Sequence, residues 1–351
     1  MQKKKNYNLA IVGLGGMGNW HRETIAEFKN LSVCGSFDIK PSRQVFAREH
    51  GIEPYESFEA VLADPEVDIV LCATPNDVHR DICIRALEAG KHVVCEKPVT
   101  LDSAELQDII DASEKTGKLF VVHQNRRWDE DFLTMKDIFN RNLLGDVFRI
   151  ESRVQGSRGI PGDWRQEKQY GGGMVLDWGV HLFDQILQMV PGKLKKVFAT
   201  ITHVTNELVD DGFYAELTFE SGLVAHVEVG TSNFISLPRW YMLGRDGTAM
   251  IEGWDLKGKI VRCIDWTQND AVPISTAAGL TKTMAPRTEA TIQEQPLEPV
   301  HGDIRDFYRN VIATIEGKEE IIVKNDEVMR CMKLMEAVFE SAEKCKVIDF
   351  E

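Results

Sequence analysis

Two short segments of this chain carry residue types that could together act on a hydroxyl or a carbonyl. Lys97 stands in Glu96-Lys97-Pro98, directly after an apolar run. A lysine at a strand end can donate to a reacting oxygen and stabilise the charge that develops there. Asp177 and His181 stand four residues apart in GGGMVLDWGVHLFDQ, residues 171–185. On a helix that spacing puts both on one face, so both can reach one site. Histidine changes charge near neutral pH and can take a proton from a hydroxyl. Asp177 can hold a neighbouring hydroxyl or orient the imidazole, and Asp184 is a weaker candidate for the same work. Each segment also has a plainer reading. A lysine is usually a solvated surface residue, and Asp177 with His181 can be a buried helix pair that satisfies itself.

The scaffold favours the chemical reading. Residues 9–12 are an apolar run, followed at once by GLGGMG and then by a helical pattern. Gly13 permits a tight strand-to-helix turn, Gly15 lets backbone reach a pyrophosphate, and Gly18 lets the helix pack closely on its strand. Gly16 and Met17 complete the loop, whose helix N-terminus offers unpaired N–H groups to phosphate. Asp38 closes the next apolar run, 20 residues after Gly18, and would accept hydrogen bonds from ribose hydroxyls. Lys40 and Arg43 could tolerate a 2′-phosphate, but the acid repels one. NAD is therefore expected, with NADP possible. Thr74-Pro75-Asn76, with His79 beyond, follows the apolar run 67–73, and Glu96 and Lys97 follow the next run; ligands of open parallel sheets bind beyond such strand ends, so these residues are expected to face the cofactor. The competing reading makes Asn76 or Asp77 a helix cap. A cis Lys97–Pro98 bond would fix a sharp corner at the lysine.

The order of elements indicates two domains. Up to residue 125, strand-like and helical stretches alternate, with a C′ glycine at Gly117, as in a doubly wound parallel sheet, an α/β Rossmann domain. From 126 to 351 the pattern becomes α+β. One helix spans about residues 173–189, and strands follow without intervening helices, as in a large open antiparallel sheet. Ser221-Gly222 and Asp246-Gly247 read as hairpin turns. Residues 268–300 read as a long surface excursion, and two helices finish the chain.

Composition narrows the partners. A net charge of −14 over 351 residues argues against nucleic acid and an anionic membrane surface. The start MQKKKNYN lacks a signal-peptide core, and no run reaches the ~18 apolar residues of a spanning helix. Seven cysteines form no CxxC pair and mostly fall in apolar patterns, so reduced buried thiols in a cytoplasm are expected. A broad uncovered sheet implies a homo-oligomer, a dimer or tetramer.

GLGGMG, ATPNDVH, CEKP and GGGMVLDWGVH, in this order, resemble the glucose–fructose oxidoreductase/inositol dehydrogenase/rhizopine catabolism (Gfo/Idh/MocA) family over essentially the whole chain. The resemblance implies NAD or NADP and a sugar or cyclitol substrate against the open face of the large sheet. It places the catalytic lysine on Lys97 and the acid and histidine on Asp177 and His181. Trp164 and Arg165 would lie near the nicotinamide, and Asn125 and Arg126 near the substrate. Gln124 departs from the small or aromatic residue commoner there. Trp128, Trp164 and Trp178 could wall a pocket for an aromatic or glycosidic group. The expected reaction exchanges a hydride between the nicotinamide and a secondary ring hydroxyl. The alternatives are transient oxidation by a tightly held NAD, as in glycoside 3-oxidation or cleavage, and a non-catalytic dinucleotide sensor.

Overall fold

In the computed structural model, residues 6–351 are described, so the leading lysines lie outside the described residues. Short apolar runs bounded by glycine turns build the first layer. β1 (Tyr7–Val12), β2 (Leu31–Phe37), β3 (Ile69–Cys72), β4 (His92–Cys95) and β5 (Phe120–Val122) form a five-stranded sheet in the order β2-β1-β3-β4-β5. Every pairing is parallel. Between the strands run α1 (Gly16–Ile25), α2 (Pro41–Glu49), α3 (Phe58–Ala63), α4 (His79–Glu88) and α5 (Ser103–Thr116). They cover the sheet, which is why β3 and β5 are wholly buried and can be apolar throughout. Helix ends are encoded locally. Asp102 accepts the Glu105 N–H at 2.8 Å to start α5, and Gly117 ends it at φ 65°. The strand order reverses between β1 and β3, the crevice where such sheets bind ligands.

The second layer begins after α6 (Glu130–Asn140). Its strands are β6 (Val147–Gln155), β7 (Leu194–Thr202), β8 (Gly212–Phe219), β9 (Val224–Gly230), β10 (Trp240–Gly244), β11 (Gly247–Ile251), β12 (Gly258–Cys263), β13 (Ile274–Thr276), β14 (Gly279–Thr281), β15 (Ile292–Pro296) and β16 (Ile348–Asp349). All but β13 and β14 join one nine-stranded sheet, ordered β15-β12-β11-β10-β6-β9-β8-β7-β16. β8 and β9 alternate buried with half-buried residues, so one face packs inward and the other stays open. The helices α7 (Val180–Met189), α8 (Arg305–Ile315) and α9 (Asn325–Lys344) complete the chain. α7 and α9 pack against the inner face, and α7 is apolar enough to be buried almost all round.

Several expectations are corrected. The large sheet is mixed, because β6 pairs in parallel with β9. The stretch 268–300 holds the β13–β14 hairpin and the edge strand β15, which pairs with β12. The tight turn between β10 and β11 is Arg245-Asp246, since Gly244 pairs with Gly247. The helix expected from residue 173 opens with a π-helical turn, Val175–Gly179, before α7. Cys72, Cys83, Cys95 and Cys331 are buried thiols as expected, but Cys345 is exposed. The sulfurs of Cys72, Cys83 and Cys95 gather within 4.8 Å of one another, a meeting of two strands and a helix that spacing along the chain does not reveal. Among the described residues, no helix is long and apolar enough to cross a membrane.

Candidate active site

The glycine loop is fixed by backbone crowding. Gly13 sits at φ 94°, and a Cβ there would lie 2.5 Å from the Ala73 carbonyl oxygen. A Cβ on Gly18 would lie 2.1 Å from the Gly13 oxygen. Gly15 and Gly16 differ, because a Cβ on either would project into open space. No side chain caps α1 at Gly15, so its first N–H groups remain available to an anion. At the end of β2, Asp38 accepts the Leu14 N–H at 2.9 Å and the Lys40 N–H at 2.8 Å. Its carboxylate is thus clamped beside the loop, where a ribose would lie. Arg43 stacks on Phe46, 5.8 Å from its ring centre. The loop, helix start and acid fit a dinucleotide.

The side chains of Asn76, His79 and Glu96, expected to face the cofactor, turn into the protein. The Asn76 amide donates to the Tyr170 and Gly171 carbonyls at 3.0 and 3.4 Å, tying the Thr74 turn to the second domain. The His79 ring bridges the carbonyls of Thr74 (2.9 Å) and Val99 (3.0 Å). No side-chain cap forms at the start of this helical segment, so the capping alternative also fails. Glu96 is sealed between two rings, with Oε1 at 2.7 Å from His21 Nε2 and 2.8 Å from His123 Nδ1. Its Oε2 accepts the Lys97 N–H at 3.1 Å. Burial opposes its charge, but His123 and His21 outweigh this and hold Glu96 well below the usual carboxylate range. Burial, followed by the His123 charge, pushes His21 down to about 4. A neutral His21 donates to Glu96 and accepts the Tyr308 hydroxyl at Nδ1, 2.7 Å away. This cluster is a buried brace behind the lysine.

Lys97, followed by a cis bond to Pro98, reaches across to the π-helical turn. Its Nζ lies 3.1 Å from the Asp177 carbonyl and 3.3 Å from Asp177 Oδ1. Arg165 Nε donates to the other carboxylate oxygen at 3.0 Å. Burial works against the Asp177 charge, but Lys97 and then Arg165 prevail and lower its pKa. Asp177 therefore remains an anion between two cations. It does not pair with His181, whose Nδ1 is buried without a partner. The self-satisfied helix pair is thus absent. The expectation that His181 titrates near neutrality is corrected too, because burial, then Lys97 and Arg126, hold it well below 6.5. Asp184 is committed elsewhere, to Arg127 at 2.6 and 2.8 Å. The π-helical turn is itself anchored by Asp210, whose carboxylate accepts the Val175 N–H at 2.7 Å.

Unpartnered polarity collects at this place. Of ten buried side-chain N and O atoms without a partner among the described residues, six belong to His123, Gln124, Asn125, Arg126 and His181. Buried polar atoms are rarely left so, and His123 among them also belongs to the Glu96 brace. Arg126 bonds Asp129 at 2.8 Å and stacks on Trp178 at 4.4 Å and Trp254 at 5.3 Å. Trp164 stacks under Arg165 at 4.6 Å. Trp128 packs edge-on to Phe307. The sequence does not single out Trp254, His123 or Asp210, and it reads His21 only as a packing or capping residue of the first helix. The GxGxxG spacing says nothing of His21, and Trp254 sits in an ordinary-looking β11–β12 loop.

Comparison with known proteins agrees with this architecture. Residues 7–124 match the model of the oxidoreductase family with an NAD-binding Rossmann fold. Residues 132–250 match that of the GFO/IDH/MocA C-terminal domain. An uncharacterized oxidoreductase of Schizosaccharomyces pombe is 31% identical over 323 residues, covering 82% of this chain and 83% of its own. The scyllo-inositol 2-dehydrogenase (NADP(+)) of Bacillus subtilis is 26% identical over 100% of this chain and 98% of its own. The crystal structure of an NAD-binding protein from Listeria innocua superposes with a TM-score of 0.95 at 49% identity, over 98% of this chain and 99% of that one. The chain therefore belongs to the Gfo/Idh/MocA family of oxidoreductases.

Proposed function

We propose that this oxidoreductase oxidises a secondary ring hydroxyl of a sugar, cyclitol or glycoside, or reduces the matching ketone, with NAD as the favoured cofactor. The observation that carries the reading is the Lys97 ammonium held against Asp177, with the unpartnered His181 Nδ1 on the same buried wall. Residues 1–125 hold the dinucleotide through Gly13, Gly15, Gly16, Met17, Gly18 and Asp38, with the backbone at Thr74 beside them. Residues 126–351 supply the substrate wall.

A bound nicotinamide supplies the two-electron acceptor or donor. The protein does the rest. Lys97 donates to the reacting oxygen and stabilises its developing charge. Asp177, kept ionised, fixes the ammonium and takes a neighbouring hydroxyl. His181 is held neutral, so a ring nitrogen can accept the hydroxyl proton directly or through water. Asn125, Arg126, Trp164 and Arg165 close the wall around the ring. Carboxylates at Asp177 and Asp129 accept from hydroxyl groups and the Lys97, Arg126 and Arg165 cations donate to them, a pairing that a polyol can satisfy.

The support is chemical fit, so the test is turnover. Inositols, aldoses and glycosides should be incubated with NAD and with NADP, and reduced cofactor followed. Reduction that depends on a ring polyol and is faster with NAD is expected. Cofactor binding without turnover on any of them would remove the reading.

A further inference from the structure

We propose that Trp254 and Arg126 form an outer subsite for a second ring, so that the preferred substrate is a glycoside or disaccharide rather than a free monosaccharide or cyclitol. This rests on the ring-hydroxyl oxidation proposed above. The geometry leads outward from the reacting end. The Trp178 indole lies 5.9 Å from the His181 ring, and Trp254 lies a further 5.9 Å from Trp178. A ring seated against Lys97 and His181 meets Trp178, and Trp254 stands one indole beyond it. Despite the Arg126 and Arg239 guanidinium groups at 5.3 and 5.2 Å, Trp254 remains 56% exposed. An indole in that state offers an apolar surface to the C–H face of a sugar.

Polar groups surround the same place. A cavity of about 190 Å³ is lined by Arg126, Asp129, Glu130, Asp131, Trp254 and Leu256. Asp131 is committed to Trp240 Nε1 at 2.9 Å and Arg239 at 3.1 Å, and Glu130 reaches His301 at 2.8 Å. Arg126 and Asp129 bond each other at 2.8 Å, yet Arg126 Nε is buried with no partner. Hydroxyl groups donate and accept, and so match an arginine–carboxylate pair. The loop that carries Trp254 also holds Leu256 at φ 59°, a left-handed conformation that leucine rarely adopts. Such strain persists where surrounding structure imposes it, often at ligand clamps. An indole platform, an under-satisfied arginine and a strained rim residue thus converge on one cavity, linked to His181 through Trp178.

The experiment compares kcat/KM for glucose, galactose and myo-inositol with those for cellobiose, lactose and galactinol, under saturating NAD. The subsite predicts a several-fold preference for a two-ring partner, up to about 10-fold, the value of one good stacking contact. Trp254→Ala should erase that preference, and Trp254→Phe should keep most of it. Because the readout is a ratio within each variant, a general loss of stability does not move it. A wild type that favours the free ring, or a Trp254→Ala protein that keeps the two-ring preference, would overturn the subsite while leaving ring oxidation intact. No turnover on either set would instead defeat ring oxidation itself, and the subsite with it.

Discussion

The cofactor half and the substrate half of the crevice are built on different principles. Around Gly13 and Gly18 the backbone itself is the constraint, with added Cβ atoms landing 2.5 and 2.1 Å from carbonyl oxygens. Nearby polar side chains such as Asn76, His79 and Glu96 are spent holding the protein together. Across the crevice the constraint is electrostatic, with Asp177 held between Lys97 and Arg165 and with Arg126 Nε and His181 Nδ1 left unpartnered. One half is a rigid template for a constant ligand. The other is a set of unfilled hydrogen bonds awaiting a variable one.

The largest effect should follow from breaking the template. Gly18→Val would force backbone apart, and the variant should bind no dinucleotide. In thermal melts, NAD at ~100 times its Kd stabilises a binding protein by about 2.7 kcal/mol. The wild type should show that gain and the variant none; a preserved gain would mean the backbone yields more readily than the contacts imply. On the substrate side, His181→Ala should lower kcat by roughly 10²- to 10⁴-fold. Because burial and neighbouring cations hold His181 well below 6.5, the wild-type pH profile should be flat through about pH 6.5 and fall only in more acidic solution. An inflection at the ordinary histidine value would contradict that.

A smaller change should follow at Asp38. Replacing it with Ser removes the charge facing a 2′-phosphate, so the NADP-to-NAD ratio of kcat/KM should rise roughly 10- to 100-fold. An unmoved ratio would show that the acid does not set cofactor choice. The last effect concerns stability alone and leaves turnover untouched. Burial raises Asp210 to about 6, so its neutral form is the better tolerated in the fold. Stability from this group is fully present below its unfolded pKa and is lost as pH rises through about 6, by roughly 3 kcal/mol at the upper bound. In urea titrations, Asp210→Asn should flatten that loss between about pH 4 and 7. An unchanged slope would place the titration elsewhere.

The two halves also differ in how much the sequence disclosed. Backbone templates have few chemical solutions, so GLGGMG and Asp38 announced the loop, helix and acid by type and spacing. Lys97 was legible for a related reason, as it stands just beyond the end of β4, whereas Asp177 was read from its four-residue spacing to His181, a pairing the structure does not form. What failed was long-range. Asp177 joins Lys97 from 80 residues away, and the π-helical turn that turns it from His181 leaves no periodic signature. Glu96 stands just beyond a strand end, yet it is held by His21 of α1 and by His123 just after β5. β15 was hidden because an edge strand with one neighbour needs little apolar content. Trp254 gained meaning only when Arg126 and Trp178 were brought beside it.

The central claim is that Lys97 polarises a ring oxygen during exchange with the nicotinamide. It is tested most directly by kcat of Lys97→Ala on the best ring substrate of the wild type. Removing one such donor costs roughly 10²- to 10³-fold in kcat, and a loss at least that large is predicted. A variant turning over at nearly the wild-type rate would contradict the account.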